Sequence, residues 1–450
     1  MMNQPARWAL ASTAFAKRRI GIAGAFLTAL LATAPSFAQA PFDAERANQL
    51  GIRKLEGRHV SLFTDLPSSP AVDELPAVFD AAVPEWEKFF GRPAGNWKIR
   101  ASLMRDAAKF RACGLLPAQL PDFPNGFSLR NELWLFEQPT DYYRRHLLLH
   151  EGTHCFTILA TGASGPPWYF EGLAELLGTH RWQDGKLQLG VVPRDRLEAE
   201  HWSRVKIVRD EVAAGRFLNF GSVMSFGPRA HRENEPYGWC WAAAAFLHHH
   251  PDYRDALREM LAETRQSAES FNVKFRRKIG SRWQLLEAEW QCFVHSIDYG
   301  YQFEAEAIRI RPLAALPATG GSCQLDVARG WQASGYRVRA GATYELTANG
   351  QFQIDDNPRP WISEANGVTL AYHQGRPVGL LLAAVYDARF VVGSKLTEFC
   401  QPREIGTRGT FRAPRDGILF LRVNDAPASL SNNRGTLAVT IREAIPPPGN

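Results

Sequence analysis

The chain has 450 residues, 45% of them hydrophobic, enough to bury several cores, so a single small domain is excluded and a multidomain protein is expected. Its formal charge of +6 is concentrated at the start: residues 1–38 contain Arg7, Lys17, Arg18 and Arg19 and no acid, and without these four the charge is +2. A chain so nearly balanced gives no electrostatic reason to expect a nucleic acid partner.

Residues 1–38 run from Lys17-Arg18-Arg19 through an apolar stretch, Ile20 to Ala34, to Pro35-Ser36-Phe37-Ala38-Gln39-Ala40. That order of basic, apolar and small residues predicts a cleavable export signal, cut after Ala38. An uncleaved anchor is the competing reading, but the apolar run is short for a bilayer span of about 20 residues. Arg18-Arg19 leaves the general and twin-arginine export routes both open. The mature protein is expected in the periplasm or outside the cell, with no stable membrane span.

Residues 41–139 predict a small α+β lobe, with a strand at His59 to Thr64, a helix from Val72 to Phe90, and strands around Ile99 to Met104 and Leu133 to Phe136. Residues 140–308 read as a mainly helical lobe. Thr140-Asp141 offers an N-cap, the helix runs to about Thr161, and Gly162 with Gly165-Pro166-Pro167 ends it. A second helix follows the prolines, and more lie between Tyr237 and Ile308. Residues 309–319 predict a linker, and 320–445 an all-β sandwich, from alternating runs such as Thr343 to Thr347, Val378 to Tyr386 and Gly417 to Val423.

His150-Glu151-Gly152-Thr153-His154 puts two imidazoles at i and i+4, on one helix face and within reach of one ion. Taken alone, the pattern also fits two helix histidines flanking a surface glutamate. A second run, Trp168-Tyr169-Phe170-Glu171-Gly172-Leu173-Ala174-Glu175, begins fourteen residues after His154. Together the two runs resemble the gluzincin metallopeptidases, and within that clan the exported peptidase-MA-like bacterial proteins, over about residues 58–300.

The resemblance implies a catalytic zinc held by His150, His154 and Glu171, with the fourth position left for water. It implies Glu151 as general base on that water, and a peptide or protein substrate. Glu175, one turn beyond Glu171, is then expected to orient His150 or His154 through the other ring nitrogen, or else to be a solvated helix carboxylate. Tyr237, 86 residues after Glu151, matches the tyrosine that stabilises the oxyanion, with His231 the alternative. No Gly-x-Met-Glu-Asn run precedes the helix, so an aminopeptidase is not implied. Leu133 to Phe136 is expected to be the edge strand that pairs with an extended peptide. His248-His249-His250 reads as a helix end rather than part of the site.

Near the C-terminus, Asn424-Asp425-Ala426-Pro427-Ala428-Ser429-Leu430-Ser431-Asn432-Asn433-Arg434-Gly435 gathers hard oxygens of the kind calcium takes. The run also suits an Asx-rich hairpin turn without an ion. It resembles the calcium loop of the galactose-binding lectins of the LecA (PA-IL) type, a resemblance extending over residues 320–442. Carried over, the calcium ligands are Asp425, Ser429 in place of threonine, Asn432 and Asn433. The sugar-contacting His and Gln of that family find no match, so galactose specificity is not implied.

Six cysteines follow the leader (Cys113, Cys155, Cys240, Cys292, Cys323 and Cys400), none spaced as a paired-cysteine metal knuckle. Cys323 with Cys400 is the expected disulfide; the others stay open. The functional expectation is an exported zinc metallopeptidase targeted by a calcium-dependent, carbohydrate-binding-like domain. The alternative is a carbohydrate-binding surface protein with a non-catalytic zincin scaffold.

Overall fold

The computed structural model describes residues 42–199, 203–228, 233–389, 393 and 395–444. The expected export signal and His231 lie outside these residues. The chain is mixed α/β, with several helices and several sheets.

The first sheet comprises β1 (Arg53–Glu56), β2 (Val60–Thr64), β3 (Ile99–Met104), β4 (Gly126–Leu129) and β5 (Glu132–Phe136), ordered β1-β2-β3-β5-β4. Strands β2, β3 and β5 are parallel, while β1 and β4 run antiparallel at the two edges. Parallel strands in the middle of a sheet bury both faces, which is why Ile99 to Met104 is nearly continuous in apolar burial. The helix Leu75–Phe90 covers one face with Val78, Phe79, Ala82 and Trp86.

One expectation is overturned here. Strand β5 is flanked by β3 and β4 and is interior; the edge is β4. A two-residue turn at Arg130-Asn131, with Arg130 at φ 57°, folds Gly126–Leu129 back along β5 and covers it.

Helices form most of the middle of the chain, and those described below share one core. The histidine helix, Asp141–Thr161, starts where Thr140 Oγ1 accepts the Tyr143 N–H at 3.2 Å and stops at Gly162, whose φ is 76°. The glutamate helix, Pro167–Gly178, begins on the proline-fixed φ of its first residue. The tyrosine helix, Asn234–His249, crosses it at Gly172, where a Cβ would come within 2.8 Å of the Cys240 carbonyl oxygen. The bridging helix, Trp283–Ser296, packs Trp290 against Trp239 and Phe246. A small hairpin, β6 (His180–Gln183) and β7 (Lys186–Leu189), follows the glutamate helix.

The remaining strands are β8 (Ala314–Ala315), β9 (Gly321–Asp326), β10 (Gln332–Val338), β11 (Thr343–Asn349), β12 (Phe352–Asp355), β13 (Trp361–Ser363) and β14 (Asn366–His373). Then come β15 (Arg376–Tyr386), β16 (Arg403–Glu404), β17 (Arg408–Arg412), β18 (Gly417–Val423) and β19 (Thr436–Glu443). A six-stranded sheet, β14-β15-β18-β10-β8 with β16 on β15, faces a four-stranded sheet, β17-β11-β19-β9. The stretch expected as a linker thus supplies β8, paired parallel with β10.

Side chains of β15 alternate: Leu381, Ala383 and Val385 enter the core between the sheets, while Leu380, Leu382, Ala384 and Tyr386 point the other way. That second face is covered by Leu285 and Ala288 of the bridging helix, together with Ile308. Polar contacts reinforce it: Arg422 donates to both Glu306 oxygens, at 3.1 and 3.2 Å.

Candidate metal centre

His150 Nε2 and His154 Nε2 stand 3.1 Å apart, and Glu171 Oε2 lies 3.4 Å from the first and 3.3 Å from the second. Donor atoms about 2.0–2.1 Å from one centre at tetrahedral angles stand about 3.3–3.4 Å apart, so this triangle has the dimensions of one face of a zinc tetrahedron. All three groups are buried or nearly so, and Glu171 Oε2 has no hydrogen-bond partner. A buried, unpartnered carboxylate oxygen held against two imidazoles fits a cation and is costly without one.

The sequence brings these atoms together by simple means. The i, i+4 spacing stacks the histidines on one helix face. Gly152, between them, lets the histidine helix lie against Leu75–Phe90: a Cβ there would sit 2.7 Å from Phe79 and Trp86 ring atoms. Trp168, fully buried, anchors the start of the glutamate helix through Nε1–H to Asn272 Oδ1 at 2.9 Å. Phe170 stacks on the His154 ring with centroids 4.0 Å apart and fixes its plane.

Glu175 lies behind the triangle. Its Oε1 is 3.3 Å from His150 Nδ1, its Oε2 is 3.3 Å from His146 Nε2, and it is 1% exposed. Arg204 donates to both oxygens, from Nε at 2.6 Å and Nη2 at 2.7 Å. Burial works against the Glu175 charge, but Arg204 and His146 hold the carboxyl well below its ordinary value. Burial likewise opposes a charge on His150, yet Glu171 and Glu175 push it up to about 10. Glu171 is drawn down by the two imidazoles in spite of its burial.

Glu151, 6% exposed, faces the edge strand: a Cβ on Gly126 would lie 2.7 Å from Glu151 Oε1. The Tyr237 ring is 6.1 Å from that of His150 and 5.9 Å from the Arg204 guanidinium carbon. Burial, then the charges of Glu171, Glu175 and Glu151, raise the Tyr237 phenol, so its proton stays on. The structure therefore gathers His150, His154, Glu171, Glu175, Glu151 and Tyr237 around one point. Sequence reasoning missed His146, Phe170 and Arg204. His146, one turn before His150, was open to the same i, i+4 argument; Arg204, 29 residues from Glu175, left no local signal.

At the other end of the chain, the loop between β18 and β19 turns through a short 3₁₀ helix, Leu430–Asn432. Asp425 Oδ2, Asn432 Oδ1 and Asn433 Oδ1 are buried without a hydrogen-bond partner. The amide nitrogens are engaged elsewhere, Asn432 Nδ2 with Asp355 Oδ1 at 3.2 Å and Asn433 Nδ2 with the Val327 carbonyl at 3.1 Å. Burial pushes the Asp425 carboxyl up, with Asn433 pulling the other way and Asp355 adding to the rise. Ser429 is tied in by its backbone N–H to the Ala426 carbonyl at 2.9 Å. Asp355, on β12, adds a carboxylate that lies 77 residues from Asn432 in the chain and carries no local signal for this loop.

No protein-family model and no curated protein matches the chain. Among solved structures it is similar to the N-terminal domain of EclA, a PllA-like lectin, at 18% identity and a TM-score of 0.20, over 27% of this chain and 95% of that one. It is also similar to Aeromonas hydrophila PliG, a periplasmic inhibitor of g-type lysozyme, at 11% identity and a TM-score of 0.17, over 30% and 98%. A third similarity is to the IMPa metallopeptidase in complex with T-antigen, at 12% identity and a TM-score of 0.17, over 87% of this chain and 42% of that one. The chain thus spans less than half of that metallopeptidase. Likenesses at these TM-scores establish neither a common fold nor a function.

Proposed function

We propose that this protein is an exported zinc metallopeptidase of the gluzincin type, with His150, His154 and Glu171 as zinc ligands and Glu151 as general base. One observation carries the reading: the three donor atoms form a triangle with edges of 3.1 to 3.4 Å, the size a tetrahedral zinc requires. A zinc ion held there supplies Lewis acidity and acidifies a water near neutral pH.

The chain's own groups do the rest. Glu151 takes the proton of the attacking water and delivers it to the leaving amine. Tyr237, kept protonated by its buried and acidic surroundings, donates a hydrogen bond to the oxygen that gains charge at the substrate carbonyl. Strand β4, the sheet edge among the described residues, runs past Glu151 and is where an extended peptide would pair, and Gly126 opens the space beside the carboxylate. Glu175 holds His150 by its second nitrogen, with Arg204 balancing the charge.

We further propose that Asp425, Ser429, Asn432 and Asn433 hold calcium in a carbohydrate-binding-like domain covering about residues 320–445. Three buried, unpartnered oxygens in that loop support the reading. No helix among the described residues is long and apolar enough to cross a membrane.

The test is a comparison of wild type and Glu151→Gln in metal content and in hydrolysis of a broad peptide library. The expected result is about one zinc per chain in both proteins and hydrolysis only in the wild type. A wild type that binds zinc and cleaves nothing would move the reading to a non-catalytic scaffold in a carbohydrate-binding protein. A wild type without zinc would remove the metal centre altogether.

A further inference from the structure

The expected pairing of Cys323 with Cys400 fails on geometry. Cys323 lies on β9 and packs against the core between the two sheets. Cys400 follows Phe399, which belongs to the core on the opposite face of the six-stranded sheet. The sheet stands between them. All six cysteines are thiols here.

Cys400 has a different neighbour. Gln291, on the bridging helix, receives the Thr397 N–H on Oε1 at 2.6 Å and donates from Nε2 to the Lys395 carbonyl at 3.0 Å. This two-point clamp fixes the loop after β15 against the helix one residue before Cys292. The turn Thr397–Cys400 is closed by the Cys400 N–H on the Thr397 carbonyl at 3.0 Å. Cys292 packs against the core that contains Phe399, and Cys292 and Cys400 both line one cavity of about 130 Å³ with Trp331, Phe399 and Arg422. The neighbouring Cys400 thiol, then burial, raise the Cys292 thiol well above its ordinary value.

We propose that Cys292 and Cys400 are joined as a disulfide that fastens the helical part of the chain to the six-stranded sheet. Each thiol gives up its proton, and the pair gives up two electrons to a disulfide oxidant. The new bond joins the two Sγ atoms as the oxidant's own S–S bond is cleaved to two thiols. The other four cysteines do not compete: Cys113, Cys155 and Cys240 are buried within other cores, and Cys323 is behind the sheet. The link closes a loop on the order of 100 residues, long enough to restrict the unfolded chain strongly.

The experiment uses the full chain equilibrated with oxidised glutathione, alkylated, and digested without reduction for peptide mapping by mass spectrometry. One cross-linked peptide containing Cys292 and Cys400, with the other thiols alkylated, is the expected result. Reduction should then lower the Tm of the wild type by about 5 °C or more. Cys323→Ser should keep that shift, and Cys292→Ser and Cys400→Ser should each lose it. Full alkylation of all six cysteines after oxidation, or a cross-link containing Cys323, would overturn the proposal.

Discussion

Arg204 grips both carboxylate oxygens of Glu175, and Glu175 in turn touches His150 at the nitrogen facing away from the metal-binding triangle. The charge of a fully buried carboxylate costs several kcal/mol unless it is paired, so the guanidinium is what lets Glu175 remain an anion behind the histidine. That anion fixes the His150 ring with Nε2 toward Glu171 and His154.

From this relationship, Arg204→Ala and Glu175→Gln should each weaken zinc binding by about 10–100-fold while leaving all three ligands in place. Chelator competition measures it directly. Unchanged affinity in both variants would make the pair a packing feature only.

Tyr237→Phe removes the phenol oxygen beside His150 and leaves the ring. Loss of a single oxyanion donor should lower kcat by about 10²–10³-fold with little change in KM or zinc content. Steady-state kinetics on a peptide cleaved by the wild type separates this from a structural effect, which would alter metal content too.

Gly152→Ala places a methyl 2.7 Å from Phe79 and Trp86, rigid rings in the middle of the core. Overpacking of this kind should destabilise the protein by about 1–3 kcal/mol, read as a lower urea midpoint, and should weaken zinc binding because the histidine helix must shift.

Calcium should raise the Tm of the wild type, and chelation should reverse the rise, because an ion bound only to the folded state stabilises it by mass action. Asp425→Asn should lose most of that response. A Tm insensitive to calcium in the wild type would leave the buried oxygens of Asp425, Asn432 and Asn433 as features of an ion-free turn.

Local rules made much of this structure legible in advance. Thr140 and Gly162 mark the ends of the histidine helix because caps act within a few residues, and the i, i+4 histidines share a face for the same reason. The strand expected around Ile99 to Met104 is β3. What escaped depends on distant parts of the chain. The run Gly126-Phe127-Ser128-Leu129 alternates over only four residues, too few to announce a strand, and its pairing with β5 makes it the edge. Arg204 meets Glu175, and Asp355 meets Asn432, through tertiary packing that leaves no trace in sequence spacing. Cys323 and Cys400 looked like partners because they share a segment, but Cys323 faces the core between the two sheets and Cys400 lies in a turn beside the core on the far face of the six-stranded sheet.

The core shared by Leu285, Ala288 and Ile308 with Trp331, Leu382 and Phe420 bears on how this protein can be divided. Cutting the chain between 309 and 319 would strip an apolar face from both fragments, remove β8 from its sheet, and leave Glu306 and Arg422 without each other. Neither half is a detachable module. Expressed separately, the fragments should be sticky and poorly soluble, whereas mixing them should restore solubility by reassembling the common core. Change in one half is therefore constrained by the other, since a substitution on the outer face of β15 or β18 is felt at once by the helix that packs Trp290 against Trp239 of the tyrosine helix.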